Sequence, residues 1–297
     1  MATPLLVLVL MASQPAQSSA DPHLQSNPVY RQALQVGFPM STGSPVKLPP
    51  PVILDGADGQ TLRARLAALP DRTVPVDELL RKSVVAPVVF GFRDVVAADT
   101  DAPVRGLDVY FVAYGRLEPA QGEKLLRETL AAVQKEAKIH QLSAADLARR
   151  KIELPPPGDK LSGYRYWFAE FALLDKVQLS ATAQTFVSHT ERSVVAASVI
   201  DARFADDEQF PNRWRPLKID PVTGKAEPGE PQVYDGCASY LRVTRLGEPA
   251  GALFVEYHIV FVEPKAWFGG ANLLRSRLPV LIQSQVRSFR RQISAVQ

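Results

Sequence analysis

The chain has 297 residues, 46% of them hydrophobic and 22% charged, enough to bury the core of one large domain or two modest ones. Its 34 basic and 31 acidic residues leave a formal charge of +3, too close to balance to imply nucleic acid or an anionic membrane surface as a partner. A single cysteine, Cys237, excludes an intramolecular disulfide framework and any multi-cysteine zinc or iron–sulfur site.

Met1–Ala20 holds an apolar run, Pro4–Met11, then small and polar residues with Ser18 and Ala20 at the spacing of an A-x-A-like cleavage site. It reads as a secretory signal, although its first residues carry no Lys or Arg. The expected protein is therefore exported, periplasmic or secreted, and no later run approaches the ~18 apolar residues of a membrane span. Residues 21–52, rich in Pro, Ser, Gln and Gly, read as a disordered leader, with Pro49–Val52 a stiff spacer rather than a ligand for a proline-binding module. Residues 53–82 read as a short helical prelude. Asp58 caps a helix through Leu62, Leu66 and Leu69 that Pro70 closes, and Val76–Lys82 turns Leu79 and Leu80 inward.

From residue 83 to 297 the pattern is that of a single α+β domain. Val84–Val96 and Leu107–Leu117 are β-branched and aromatic, with Pro87 breaking the first strand early. Glu118–Arg150 reads as a helical pair, the second helix capped by Ser143 with Asp146. Strands follow at Tyr164–Leu174, Val177–Ser188 and Ser193–Ile200. In the middle one Val177, Leu179, Ala181, Ala183 and Val187 face one way against Gln178, Ser180, Thr182, Gln184 and Ser188, with Phe186 out of pattern, so it reads as half-buried. Asp201–Pro231 is polar and turn-rich, a lid or a surface excursion with little order. Val233–Leu246 returns to the sheet. Gly251–Glu263 then sets Leu253, Val255, Tyr257, Ile259 and Phe261 on a core face and Phe254, Glu256, His258, Val260 and Val262 on the other. After an aromatic turn comes a helix, Leu273–Ile293, with Leu278, Leu281, Ile282, Val286, Phe289 and Ile293 as its apolar stripe and Arg287, Arg290 and Arg291 as a solvated end.

No nucleophile elbow, phosphate loop, dinucleotide fingerprint, zinc-protease helix or calcium loop is present. Glu256 with His258, and His189 with Glu191, offer mixed N and O ligands, but one strand supplies only two, and hydrogen-bonded strand residues are the stronger reading; no metal and no cofactor is expected. Cys237 reads as a small buried hydrophobe rather than a nucleophile. Trp214, between Arg213 and Arg215, either anchors the long loop or caps a pocket. Trp267 and Phe268, before Gly269 and Gly270, pack between strand and helix and would line the mouth of any cavity beneath the helix. The candidate ligand-binding residues are thus Glu256, His258, Trp267, Phe268 and Trp214.

The order of elements resembles the helix-grip architecture of START and Bet v 1-like proteins. The likeness is carried by Gly251–Glu263, the segment EPKAWFGG and Leu273–Ile293, with Glu118–Arg150 matching the paired helices. It departs in having two strands before the helices and in the Asp201–Pro231 excursion. The resemblance implies a curved antiparallel sheet of about seven strands on a long C-terminal helix, with a helical pair inserted and an apolar ligand held between sheet and helix. The function expected is an exported, non-enzymatic binding or carrier protein, its partner a small apolar ligand. The alternative is an envelope-associated structural or interaction protein with a filled core. An enzyme using Glu256 and His258 is a third possibility. A cavity of a few hundred Å3 on the Glu256–His258 face separates the first two.

Overall fold

A computed structural model describes residues 21–38, 45–70, 73–95, 103–117, 137–154, 164–220, 226–234, 236–268 and 273–294. The expected signal at Met1–Ala20, residues 118–136 of the expected helical pair, and Gly269 and Gly270 lie outside these residues. Among the described residues eleven strands form one sheet: β1 Val89–Val95, β2 Val104–Tyr114, β3 Lys138–Gln141, β4 Tyr164–Leu173, β5 Val177–His189, β6 Ser193–Ile200, β7 Arg213–Ile219, β8 Ala226–Pro228, β9 Gln232–Val233, β10 Cys237–Arg245 and β11 Ala252–Val262. The main order is β1-β2-β11-β10-β6-β5-β4-β3, every pairing antiparallel, with β7 on the end of β5 and carrying β8 and β9. The helices are α1 His23–Ser26, α2 Pro28–Arg31, α3 Gly59–Ala67, α4 Val76–Leu79, α5 Ala144–Arg149 and α6 Leu273–Ser294.

The sheet is curved. From β2 to β3 there are six strand steps, roughly 29 Å in a flat sheet at about 4.8 Å each, yet Leu107 of β2 and Ile139 of β3 border one cavity. α6 lies in the hollow of that curve. Its Leu278, Ile282, Val286, Phe289 and Ile293, at spacings of three and four, pack on Leu107, Val109, Phe111 and Ala113 of β2 and on Leu253 and Val255 of β11. This is the helix-grip arrangement, an α+β fold with eleven strands rather than seven. β3, β7, β8 and β9 are the additions; β7 and β8 come from Asp201–Pro231, which therefore contributes strands to the sheet rather than forming a loose excursion, and β9 follows directly after it.

α6 departs from the expected stripe at two residues. Leu281 is exposed beside Val280, one step off the buried row. Arg290 is buried instead of solvated, and its guanidinium donates to four backbone carbonyls: Ala86 at 2.6 Å, Val112 at 2.8 Å, Pro87 at 3.0 Å and Val84 at 3.2 Å. Burial, with Arg287 nearby, lowers its pKa to about 10. Those carbonyls belong to β2 and to the turn before β1, where Pro87 keeps the chain out of the ladder, so the C-terminal end of α6 is fastened at its base. Gly115 permits the approach, since a Cβ there would stand 2.6 Å from the Ile293 carbonyl oxygen.

The outer face of the sheet is covered too. The expected leader is a strap: α1, α2 and residues 45–55 lie across β5, β6, β10 and β11, burying Val29, Tyr30, Ala33, Phe38, Val46 and Leu48 against Phe186, Val195, Ala197, Tyr240, Val260 and Val262. Phe186 thus has its partners on this side, and β5 is buried on both faces there. The Pro and Ser content that suggests disorder is overridden because the outer face offers an apolar surface that something must cover. α3 and α4 extend the cover, with Asp58 Oδ1 capping Thr61 N at 2.6 Å and Leu62, Leu66, Leu69 and Leu79 packed on Tyr110, Val112 and Phe254.

Charge also holds the strap. Arg242 of β10, wholly buried, donates to Asp21 Oδ2 and to Asp55 Oδ1, both at 2.8 Å. Asp55 further accepts from Ser193 and Thr190, each at 2.6 Å. His23 sits with its ring nitrogens 2.7 Å from Ser188 Oγ and Ser193 Oγ, and burial together with Arg242 pulls its pKa to about 4, so the ring is neutral. Replacing Arg242 by Met leaves two carboxylates buried without their cation, and breaking a buried pair in this way costs about 3–5 kcal/mol. Denaturant unfolding of Arg242→Met should show a loss of that size, with faster proteolysis within residues 21–55; a loss under about 1 kcal/mol would mean the charges are incidental to strap docking.

Candidate functional site

Between the sheet's inner face and α6 lies a cavity of about 310 Å3. Its floor is made of small side chains that the register places side by side. Ala169 of β4 pairs with Ala181 of β5, Thr185 of β5 with Ser198 of β6, and Ser198 with Ser239 of β10. Large residues rim this floor: Trp167, Phe171, Leu179, Leu241, Tyr257, Ile259 and Phe261 from the sheet, and Leu274, Leu278, Ile282, Val286 and Phe289 from α6. A helix cannot sink onto a floor of small residues when the bulky rows on either side hold it up, so the space between stays open.

The lining is apolar with a few neutral polar groups. The Thr185 and Ser198 hydroxyls bond each other at 2.9 Å, Tyr257 stands beside Ser239, and Gln285, Ser288 and Gln292 come from α6. No Asp, Glu, Lys, Arg or His is among the described lining residues. Cys237 borders the cavity, and burial pushes its thiol up to about 12, which keeps it protonated and unreactive.

Of the five candidate ligand-binding residues, only Trp267 borders the cavity. Trp267 lines one end, stacked on Tyr234 and edge-on to Trp214 and Phe268, and its indole Nε1 is buried with no hydrogen-bond partner among the described residues. Phe268 lines a second hollow of about 500 Å3 adjoining the first. Trp214, in β7, is buried behind Trp267 with Val177 and Leu179 and does not border the cavity. It fastens β7 to the sheet.

Glu256 and His258 lie on the opposite face. The strand alternation that puts Tyr257 in the cavity turns both outward, under the strap, so the expectation that their face opens on the cavity is corrected. Both are fully buried. His258 Nδ1 is 2.7 Å from Asp108 Oδ1 and Nε2 is 3.3 Å from Glu256 Oε2, which also accepts the Val52 N–H at 2.7 Å. Arg93 closes the row with two bonds to Asp108, at 2.7 and 3.1 Å. Glu256 Oε1 has no hydrogen-bond partner among the described residues.

Burial opposes a charged imidazole, but the hydrogen bonds to Asp108 and Glu256 outweigh it and raise the His258 pKa above its usual 6.5. Carboxylates on both ring nitrogens call for N–H on both, which is the imidazolium. The two nitrogens are thus spent within the protein, leaving none to act on a substrate. The second His/Glu pair does not join them: His189 and Glu191 are exposed at the end of β5. Among the described residues no group of three His, Cys, Asp or Glu could hold a metal ion.

The surfaces that sequence reasoning missed are those of Ala181, Ala183, Thr185, Ser198, Ser239 and Tyr257. The signal was present as a run of small residues on the inward faces of strands that a long helix must cover. Because the folded pKa of His258 is raised, its contribution to stability is complete below pH 6.5 and is lost as pH rises through the folded value. The stability difference between wild type and His258→Gln should accordingly be largest between about pH 5 and 6.5 and shrink at higher pH. A difference that grows with pH would show that the ring is neutral in the fold.

No family model matches the chain, and no curated protein matches it in sequence. Solved structures similar to it include the lipid transfer and protein localization domain of human StarD13, at 7% identity and a TM-score of 0.38, over 67% of this chain and 88% of that one. Human STARD10 is similar at 8% identity and a TM-score of 0.35, over 78% of this chain and 81% of that one.

Proposed function

We propose that this protein is a non-enzymatic carrier of a small, largely apolar molecule held between the inner face of the sheet and α6. The observation that carries this reading is the 310 Å3 cavity with its uncharged, mainly apolar wall. That volume falls in the range of small-molecule sites. An apolar wall of this extent left facing water forgoes the stability that covering it would give. A protein that keeps such a space is best explained by something that fills it. The same volume favours the carrier over a structural protein with a filled core. The pattern of Met1–Ala20 supports a working place outside the cytoplasm.

The test is to fill the cavity. Ala183→Phe puts a ring over the small-residue floor without adding a polar group. Wild type should bind an uncharged apolar fluorophore, seen as quenching or enhancement of Trp167 and Trp267 emission, and a ligand at a hundred times its Kd should add about 2.7 kcal/mol of stability. Ala183→Phe should stay folded and lose both effects. Equal binding by wild type and the filled variant would place any apolar site elsewhere and end the carrier reading.

A further inference from the structure

The second hollow adjoins the apolar cavity, and the side chains of Leu107, Phe261, Leu274 and Leu278 border both. Their chemistry differs sharply. The inner space has no charge on its described walls, whereas the outer one is bordered by Arg93, Arg105, Lys265 and Arg275 against Asp94 and Glu263. Arg93 is already answered by Asp108 behind it. Asp94 is shared between Arg105 and Arg275, and Glu263 accepts from Arg105 at 2.6 Å. Lys265 is exposed and has no carboxylate partner among the described residues. Arg105, Lys265 and Arg275 thus stand against Asp94 and Glu263 at the rim, an excess of one positive charge; Lys265 carries that excess, and Arg275 keeps donors beyond the Nη2 it gives Asp94.

Resting on the carrier reading, we infer that this outer hollow is a headgroup site and that the ligand is an anionic amphiphile. Its apolar body occupies the cavity, and its carboxylate or phosphate meets Lys265 and Arg275 at the rim. An anion drawn into the inner space would lose its water with no cation to replace it, a penalty of several kcal/mol. The same anion at the rim keeps part of its hydration and gains charge-assisted hydrogen bonds. Phe92, Phe261 and Phe268 line the outer hollow, and Phe261 borders the inner one as well, so apolar rings stand on the side where an alkyl segment would enter.

Three probes with one apolar body separate the possibilities: dodecanol, dodecanoate and dodecyl phosphate, titrated into the full-length protein by calorimetry at low ionic strength. Both anions should bind about tenfold more tightly than dodecanol, one charge-assisted hydrogen bond being worth roughly that factor. The advantage should shrink with added salt, because the rim is exposed. The double variant Lys265→Gln, Arg275→Gln should bring the ratio of anion to alcohol affinity close to one. A larger gain for dodecyl phosphate identifies a phosphate headgroup, and a larger gain for dodecanoate a carboxylate. Equal binding of all three probes by wild type would overturn the headgroup site while leaving the carrier intact, as would an anion preference that survives the double variant. Binding of none of the three would overturn the carrier reading, and the headgroup site with it.

Discussion

β11 pairs along its length with β2 on one side and with β10 on the other, so both its edges are spent, and because it carries apolar side chains on both faces each face must be covered by something other than the sheet. The two faces meet that requirement by different physics. On the inner side Leu253, Val255, Tyr257, Ile259 and Phe261 face α6, and the cover is apolar and incomplete, because the small residues of β4, β5, β6 and β10 leave room beneath the helix. On the outer side Glu256 and His258 interrupt the apolar residues, and the cover is a strap tied down by charge as well as by Tyr30, Phe38 and Ile53.

This division explains where strength and openness sit. The outer face carries the costly groups: Arg242 between Asp21 and Asp55, and His258 between Asp108 and Glu256, held by hydrogen bonds of 2.7 to 3.3 Å. Buried charges of this kind give little net stability, but their partners must be in place, so the strap has one position and not many. The inner face carries an uncovered volume, and the helix roofing it is fastened most firmly at its C-terminal end, where Arg290 and Ser294 bond to backbone carbonyls of β2 and the turn before β1. The N-terminal half of α6, with Leu274, Arg275 and Leu278, borders both hollows.

Much of the fold was legible in the sequence. Alternation marked Ser193–Ile200 and Gly251–Glu263 almost to the residue, Asp58 and Ser143 marked their helix starts, and the apolar spacing of Leu278, Ile282, Val286 and Phe289 marked the grip. What was not legible is what depends on partners distant in the chain. The strap looks like a linker because its apolar residues are scattered among Pro and Ser, and only the outer face of the sheet gives them a place. Arg290 looks like one of three solvated arginines until the carbonyls of residues 84–87 are brought to it. The candidate site was misread by one residue of phase: polar Glu256 and His258 drew attention, while the cavity belongs to the neighbouring face. There the sign of a site was the smallness of Ala181, Ala183, Ser198 and Ser239 rather than any reactive group. Trp267, chosen for its place before the last helix, does reach the cavity, since a turn entering a roof helix has to pass its edge.

The central claim is that the space under α6 is occupied when the protein works. Native mass spectrometry of the protein purified from its own host, followed by denaturing mass spectrometry of the same sample, tests this most directly. The account predicts one bound small molecule per chain, retained in the native spectrum and released on unfolding, with a mainly hydrocarbon composition. A native mass equal to that of the bare chain, unchanged on incubation with apolar and amphiphilic molecules, would contradict it.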